Sequence, residues 1–216
     1  MIQKLELQQG GQALRMDMDV LLDDVYAQPG LPEAVKQALS GAVSWQQRSE
    51  TTLARFLAGP SQFPALVLAL LVCDTLVLTD SAQQGMDMHD YFLARDRQEP
   101  MALVVPVVVP GRKLSAARVG LTPTGEGIVL AAAAVTIEDG LVKNARLALN
   151  GVWKKKQWMS VAADKLVGAP LSDERIQSVV TVIMTEVDPP SDHLGSAAYR
   201  RAMAGVMTCQ VLEACR

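Results

Sequence analysis

The sequence predicts an α+β fold, and three observations carry that expectation. Strand patterns come in blocks followed by blocks of helical spacing, rather than alternating with them one for one, which argues against a doubly wound sheet. Half of the 216 residues are hydrophobic and a fifth are charged, enough for one large domain or two small ones with real cores. The character of the chain changes after Pro110-Gly111, so a boundary is expected near residue 110, dividing residues 1–110 from 111–216.

In chain order, "IQKLEL" and "ALRMDM" read as two strands around the turn "QQGGQ". "DVLLDDVYAQ" and "GLPEAVKQALS" follow with helical spacing, with Pro32 at an early helical position and Gly41 closing the turn. "SETTLARFLA" is a short helix for which a Thr51 cap is expected. "SQFPALVLALLVC" is apolar all round, hence a buried helix, and Asp74 leads from it into the strand "TLVLT". "MDMHDYFLAR" reads as a short amphipathic helix or turn. In "MALVVPVVVP" Pro106 removes a ladder donor, which places that strand at an edge or a bulge.

After the boundary, "KLSAARVGL", "GIVLAAAAVTIEDG" and "LVKNARLALNGVW" form a strand block with turns at Gly125, Gly127, Asp139-Gly140 and Asn150-Gly151. Helices follow in "SVAADKLVG", in "SDERIQSVVTVIMTEV" with Ser172 as cap, and in "GSAAYRRAMAGVMTCQVLEAC". In the last of these, Ala198, Met203, Val206 and Val211 are expected to share a buried side.

Charge and composition exclude several functions. A formal net charge of −3 argues against general affinity for nucleic acid or acidic membranes. No basic leader with a cleavage site opens the chain, and the apolar stretch 63–78 is too short for a membrane span and carries Asp74. The three cysteines, Cys73, Cys209 and Cys215, lack CxxC spacing, so buried or incidental thiols in a reducing cytoplasm are expected, with no zinc site or disulfide framework. Only His89 and His193 could join a transition-metal site, and neither accompanies a nucleophile motif, so no catalytic residue is assigned.

Three polar stretches have structural explanations. Asp17, Asp19, Asp23 and Asp24 lack the glycine and closing glutamate of a calcium loop and read as solvated surface. "TPTGEGIV" lacks the third glycine and the βα setting of a dinucleotide fingerprint and reads as a hairpin loop. "NGVWKKKQWM" sets three lysines between Trp153 and Trp158, and on an acidic chain this reads as a solvated connection with snorkelling lysines. "SETTLARFLAGP" leaves two options open, a plain helix cap or a helix start that holds phosphate.

The segment "SDHLGSAAYRRAMAGVMTCQVLEA" follows the pattern D-x-x-G-S-x-x-Y-R-R and then an apolar helix, through Asp192, Gly195, Ser196, Tyr199, Arg200 and Arg201. It resembles the end of the FAD-binding medium subunit of molybdenum hydroxylases, the xanthine dehydrogenase and aerobic carbon monoxide dehydrogenase group. "RKLSAARVGL", "IVLAAAAVTIEDGLVKNARLALNGV", "AADKLVGAPLSDERI" and "PALVLALLVCDTLVLTDSAQQGMDMHDYFLA" resemble further parts of that subunit, as does "GQALRMDMDVLLDDV", so the likeness extends over nearly the whole chain.

The resemblance implies a truncated second subdomain of the flavin domain over residues 1–110, followed by a flavoprotein C-terminal-like domain over 111–216. It implies FAD as cofactor, molybdopterin and iron-sulfur subunits as partners, and Thr51, Thr52 and Lys113 as flavin contacts. Two departures point the other way. The sequence starts almost directly on the second subdomain, without the family's A-G-G-T loop, and the T-I-G-G-N loop is replaced by Thr51-Thr52-Leu53-Ala54-Arg55. Leu53 and Ala54 are expected to crowd a phosphate that glycines would admit. A degenerate, flavin-free scaffold or interaction protein is therefore the expected function. The alternative is an FAD-dependent oxidoreductase subunit whose flavin site another chain completes. A missing subdomain would expose apolar surface, so a homo-oligomer or a constitutive partner is expected to cover residues 1–60.

Overall fold

A computed structural model describes residues 1–7, 10–80, 85–94, 98–121, 127–155 and 157–216. They form two compact units, Met1–Pro110 and Gly111–Arg216. Gln8 and Gln9 of the first turn, Arg95, the loop 122–126 with Gly125, and Lys156 lie outside the described residues.

Unit one is built on a five-stranded antiparallel sheet in the order β1-β2-β5-β3-β4. β1 (Ile2–Glu6) and β2 (Gln12–Asp17) form the expected hairpin. β3 (Leu76–Thr79) and the short β4 (Met86–Asp87) lie beyond β5 (Pro100–Val108). The register aligns Leu14 with Val105, Met16 with Leu103 and Leu103 with Val77, giving one continuous buried apolar face. β5 is thus an inner strand, not an edge. Its proline is tolerated because Pro106 stands at the bulge opposite Gln12 and Ala13, past the end of the β3 pairing at Val104.

Among the described residues this unit carries the α-helices α1 (Leu22–Tyr26), α2 (Glu33–Gly41), α3 (Trp45–Glu50), α4 (Leu53–Ala58), α5 (Pro64–Val72) and α6 (Met88–Leu93). α5 is buried from Leu66 to Val72 and packs against α2 and α6, as its unbroken apolar run predicts. α3 has no counterpart among the expected elements, although Ser44 and Gln47 spell its signal. The Ser44 side chain accepts from the Gln47 amide while the Gln47 side chain accepts from the Ser44 amide, a reciprocal capping box. Arg48 then ties α3 to its neighbours. Its guanidinium donates to the carbonyls of Leu39 and Val43 and to Asp23, and it lies 4.8 Å over the Tyr26 ring.

Unit two is a three-stranded antiparallel sheet, β6 (Arg112–Gly120), β7 (Gly127–Glu138) and β8 (Leu141–Asn150), with α7 (Asp173–Glu186) and α8 (Ala197–Glu213) packed on it. The Asp139-Gly140 turn joins β7 to β8 with φ of 53° and 76°, the left-handed pair that a tight hairpin demands. "SVAADKL" forms a 3-10 turn, Val161–Leu166, rather than an α-helix, capped by Ser160 and followed by Gly168 at φ 81°. The core joins Val129, Ala131, Ala133 and Val135 of β7 to Ile176, Val179 and Ile183 of α7 and Ala204, Met207, Val211 and Leu212 of α8.

The expected inner side of α8 is corrected by this packing. Val211 is buried, but Ala198 and Val206 are exposed and Met203 is only half-buried. Among the described residues no helix is long and apolar enough to cross a membrane.

None of the three cysteines is in a disulfide, and Cys73 and Cys215 are buried and Cys209 half-buried. Burial pushes the Cys215 thiol up to about 11, only partly offset by the Lys113 charge. The Cys209 thiol is also raised, by desolvation and then by Glu213. Titration of native protein with a thiol reagent at pH 8 is expected to show one slowly reacting thiol, Cys209, and all three after unfolding. Fast modification of two or more thiols in the native state would contradict this arrangement.

Candidate functional site

The stretch 51–55 is not one helix start but the junction of two short helices. Thr51 follows α3 in extended conformation, is 4 % exposed, and donates its amide to Gln47. The cap of α4 is Thr52, whose hydroxyl accepts from the Arg55 amide at 3.3 Å, so the expected Thr51 cap is corrected by one residue. Thr52→Ala is expected to cost unit one about 1 kcal/mol in chemical unfolding, by loss of that cap.

The amides of this junction turn toward their own chain. Leu53 donates to the Val20 carbonyl at 2.9 Å and Ala54 to the Met18 carbonyl at 3.0 Å. The Thr51 carbonyl in turn accepts from the Leu22 amide at 2.9 Å, and Leu21 and Thr52 form an antiparallel bridge. The segment before α1 therefore holds the loop as a neighbouring strand would. Leu53 points into the core at 1 % exposure, so it does not stand over a phosphate site as expected, while Ala54 is exposed. Beside α4 lies a cavity of about 280 Å³ lined by Met18, Ala54, Leu57, Tyr91 and Glu99. The sequence gives no warning of the Val20 and Met18 carbonyl contacts, because main-chain acceptors carry no residue signature.

Lys113 lies on β6 in unit two, whereas Thr51 and Thr52 belong to unit one. Its ammonium donates to the carbonyl oxygen of Arg216, and Arg216 pairs with Asp173.

Other singled-out residues have local roles. Asp17 pairs with the Met1 ammonium at 3.2 Å, and Asp23 with Arg48 at 3.2 Å. Asp87 caps α6 through the His89 amide, while His193 is exposed. Lys154 pairs with Asp188 at 2.8 Å, and Trp158 is buried.

The residues of the C-terminal signature converge on one buried guanidinium. Arg200 is 3 % exposed. One of its terminal nitrogens donates to the carbonyls of Ile128 at 2.6 Å and Gly151 at 2.9 Å, and the other to both Asp192 oxygens at 2.8 and 2.7 Å. Asp192 also accepts from the Leu194 and Gly195 amides, Ser196 caps α8 through the Tyr199 amide, and Arg201 donates to the Val187 carbonyl. Gly151 sits at φ 80°, where an added Cβ would lie 2.1 Å from the Ile128 carbonyl oxygen. The signature thus fastens the start of β7, the turn after β8 and the start of α8 to each other. The Arg200 guanidinium, aided by the two amides, holds the Asp192 carboxyl below its usual range.

Comparison with known proteins agrees with that framework. Residues 127–215 match the CO dehydrogenase flavoprotein C-terminal domain. The chain resembles the FAD-binding medium subunits of molybdenum hydroxylases. It is 32 % identical to the carbon monoxide dehydrogenase medium chain of Afipia carboxidovorans over 49 % of its own length and 42 % of that protein. With the glyceraldehyde dehydrogenase medium chain of Sulfolobus acidocaldarius it shares 22 % identity over 72 % of its own length and 57 % of that protein. The chain thus spans about half the length of these relatives. Its fold matches carbon monoxide dehydrogenase of Hydrogenophaga pseudoflava at a TM-score of 0.80 and 19 % identity, over 99 % of this chain and 77 % of that one. Quinoline 2-oxidoreductase of Pseudomonas putida 86 gives 0.73 and 19 %, again over 99 % and 77 %.

Proposed function

We propose that this chain is a flavin-free scaffold or interaction subunit of a molybdenum hydroxylase type of assembly. One observation carries the proposal: the Leu53, Ala54 and Arg55 amides, which a pyrophosphate would need, already donate to Val20, Met18 and Thr52 of the same chain. A diphosphate arriving there would have to displace hydrogen bonds that hold the loop, and an amide taken from a carbonyl leaves that carbonyl unsatisfied. Lys113, the expected basic contact, already donates to the Arg216 carbonyl. These residues do not fit a flavin pyrophosphate. Its partners under this proposal are molybdopterin and iron-sulfur subunits, held by the scaffold rather than served by a flavin.

The test is a visible spectrum of the purified chain, followed by titration of FAD fluorescence. Colourless protein that leaves FAD fluorescence unchanged is the expected result; stoichiometric flavin absorbance, or saturable quenching, overturns the flavin-free reading.

A second reading rests on the unmatched quarter of the structural neighbours' chains. Here another polypeptide completes the site, FAD supplies the redox chemistry, and Thr51, Thr52 and Lys113 serve only as orienting contacts. It requires FAD uptake when molybdopterin and iron-sulfur subunits are present, and none without them.

A further inference from the structure

α8 is apolar on two sides. Its inner side lies in the core of unit two, and its outer side carries the stripe Tyr199, Ala202, Val206, Cys209 and Glu213, of which Cys209 is half-buried at the margin against α7. These positions follow alternating three- and four-residue steps, the spacing that keeps one face of a helix against a facing helix over successive turns. Val206 is 50 % exposed, and Met184 on the adjoining rim of α7 is 43 % exposed. Between the two helices runs an open groove of about 550 Å³, at whose floor Gly205 lets Val180 and Met184 approach closely.

We propose that this face is a two-fold interface with a second copy of the same chain, α8 packing antiparallel on its mate about Val206. The argument for a second copy is that the stripe is complementary to itself when reversed. Val206 lies midway between Tyr199 and Glu213, seven residues from each. A two-fold axis at Val206 therefore sets valine on valine, and sets the Tyr199 hydroxyl of each copy opposite the Glu213 carboxylate of the other. A phenolic donor then meets a charged acceptor at both ends of the contact. Among the described residues no hydrogen bond engages the Tyr199 hydroxyl, which is 39 % exposed on this face. A parallel pairing would set carboxylate against carboxylate instead. About ten residues a side is below the roughly 20–30 of a standard interface, so the dimer is weak, with dissociation on the order of micromolar. Such an interface does not use residues 1–60, where the sequence placed the partner surface.

Sedimentation velocity on the full chain, from low micromolar to several hundred micromolar, reads the equilibrium directly. The expected result is a monomer–dimer equilibrium whose dissociation constant rises at least tenfold in Val206→Glu, with circular dichroism unchanged because the position is half exposed. Tyr199→Phe, which keeps the ring and removes the donor, raises it several-fold. In a Cys209→Ser background, Val206→Cys is expected to give a disulfide-linked dimer on mild oxidation, while Val161→Cys, at a site 71 % exposed elsewhere on the unit, does not. A chain that stays monomeric throughout, whether because nothing or a different protein covers this face, overturns the proposal. A dimer unmoved by Val206→Glu overturns it as well.

Discussion

Arg200→Met is expected to destabilise unit two by about 2 kcal/mol, the scale of removing a buried charged donor and stranding the acceptors it serves, the half-exposed Asp192 contributing little of it. Methionine keeps much of the side-chain volume, so the loss reports hydrogen bonds rather than a cavity. Two carbonyls, of Ile128 and Gly151, and the Asp192 carboxylate lose their donor together. Arg200→Lys is expected to rescue little, because a point charge on a flexible stem cannot reach carbonyls on one side and a bidentate carboxylate on the other. Urea unfolding monitored by circular dichroism measures the effect, and a loss under about 0.5 kcal/mol for Arg200→Met would refute the anchoring role.

The same anchor sets an acid limb. The Asp192 pKa is lowered from an ordinary 3.8 in the folded state, first by Arg200. A depressed carboxylate contributes stability that is present above its unfolded value and lost as pH falls through its folded value. The native protein is therefore expected to lose stability below about pH 4 more steeply than Asp192→Asn, with the two converging in stronger acid. Parallel curves would show that Asp192 does not titrate with folding.

Restoring the family's glycines is the second large effect. Leu53→Gly with Ala54→Gly is expected to gain no FAD binding while costing unit one about 4 kcal/mol, from an emptied leucine site and a freer unfolded chain. The cost arises because Leu53 is a core residue, at 1 % exposure. Ala54→Gly alone, at an exposed position, keeps the fold and serves as the ligand-binding control. If the single variant quenches FAD fluorescence saturably, the Ala54 side chain is the barrier to flavin and the engaged amides are not.

The elements that sequence made legible are those whose signal is local. α5 announces itself by an unbroken apolar run, the β7–β8 hairpin by Asp139-Gly140, and α7 by its Ser172 cap. Pro106 pointed to an edge or a bulge, and the bulge is what the structure has, but the proline could not decide between them, so the inner position of β5 was not legible. Nor was the orientation of α8, whose low amphipathicity reflects two apolar sides: Val206 and Val211 look alike in sequence, yet one faces solvent and the other the core. In the candidate site, sequence singled out the Thr51–Arg55 loop but named the wrong threonine as cap. It misjudged Leu53 for the same reason: the deciding partners are the main-chain oxygens of Met18 and Val20, distant from the loop in sequence. The D-x-x-G-S-x-x-Y-R-R pattern identified kinship correctly, while its physical meaning as a clasp around Arg200 needed the fold.

The place of β5 between β2 and β3 also governs how the chain can assemble. β2 must wait for a partner that begins at Pro100, whereas β6, β7 and β8 pair in sequence order with their immediate neighbours. Closing the long loop comes before any reward from the contacts it brings, so sheets joined over such a span form slowly. During synthesis the first half of the protein emerges without its inner strand and keeps apolar edges bare until residue 108 is free. In refolding monitored by pulsed hydrogen exchange, the amides paired between β2 and β5 should gain protection later than those paired between β6, β7 and β8. The half that is made first is the half that finishes last.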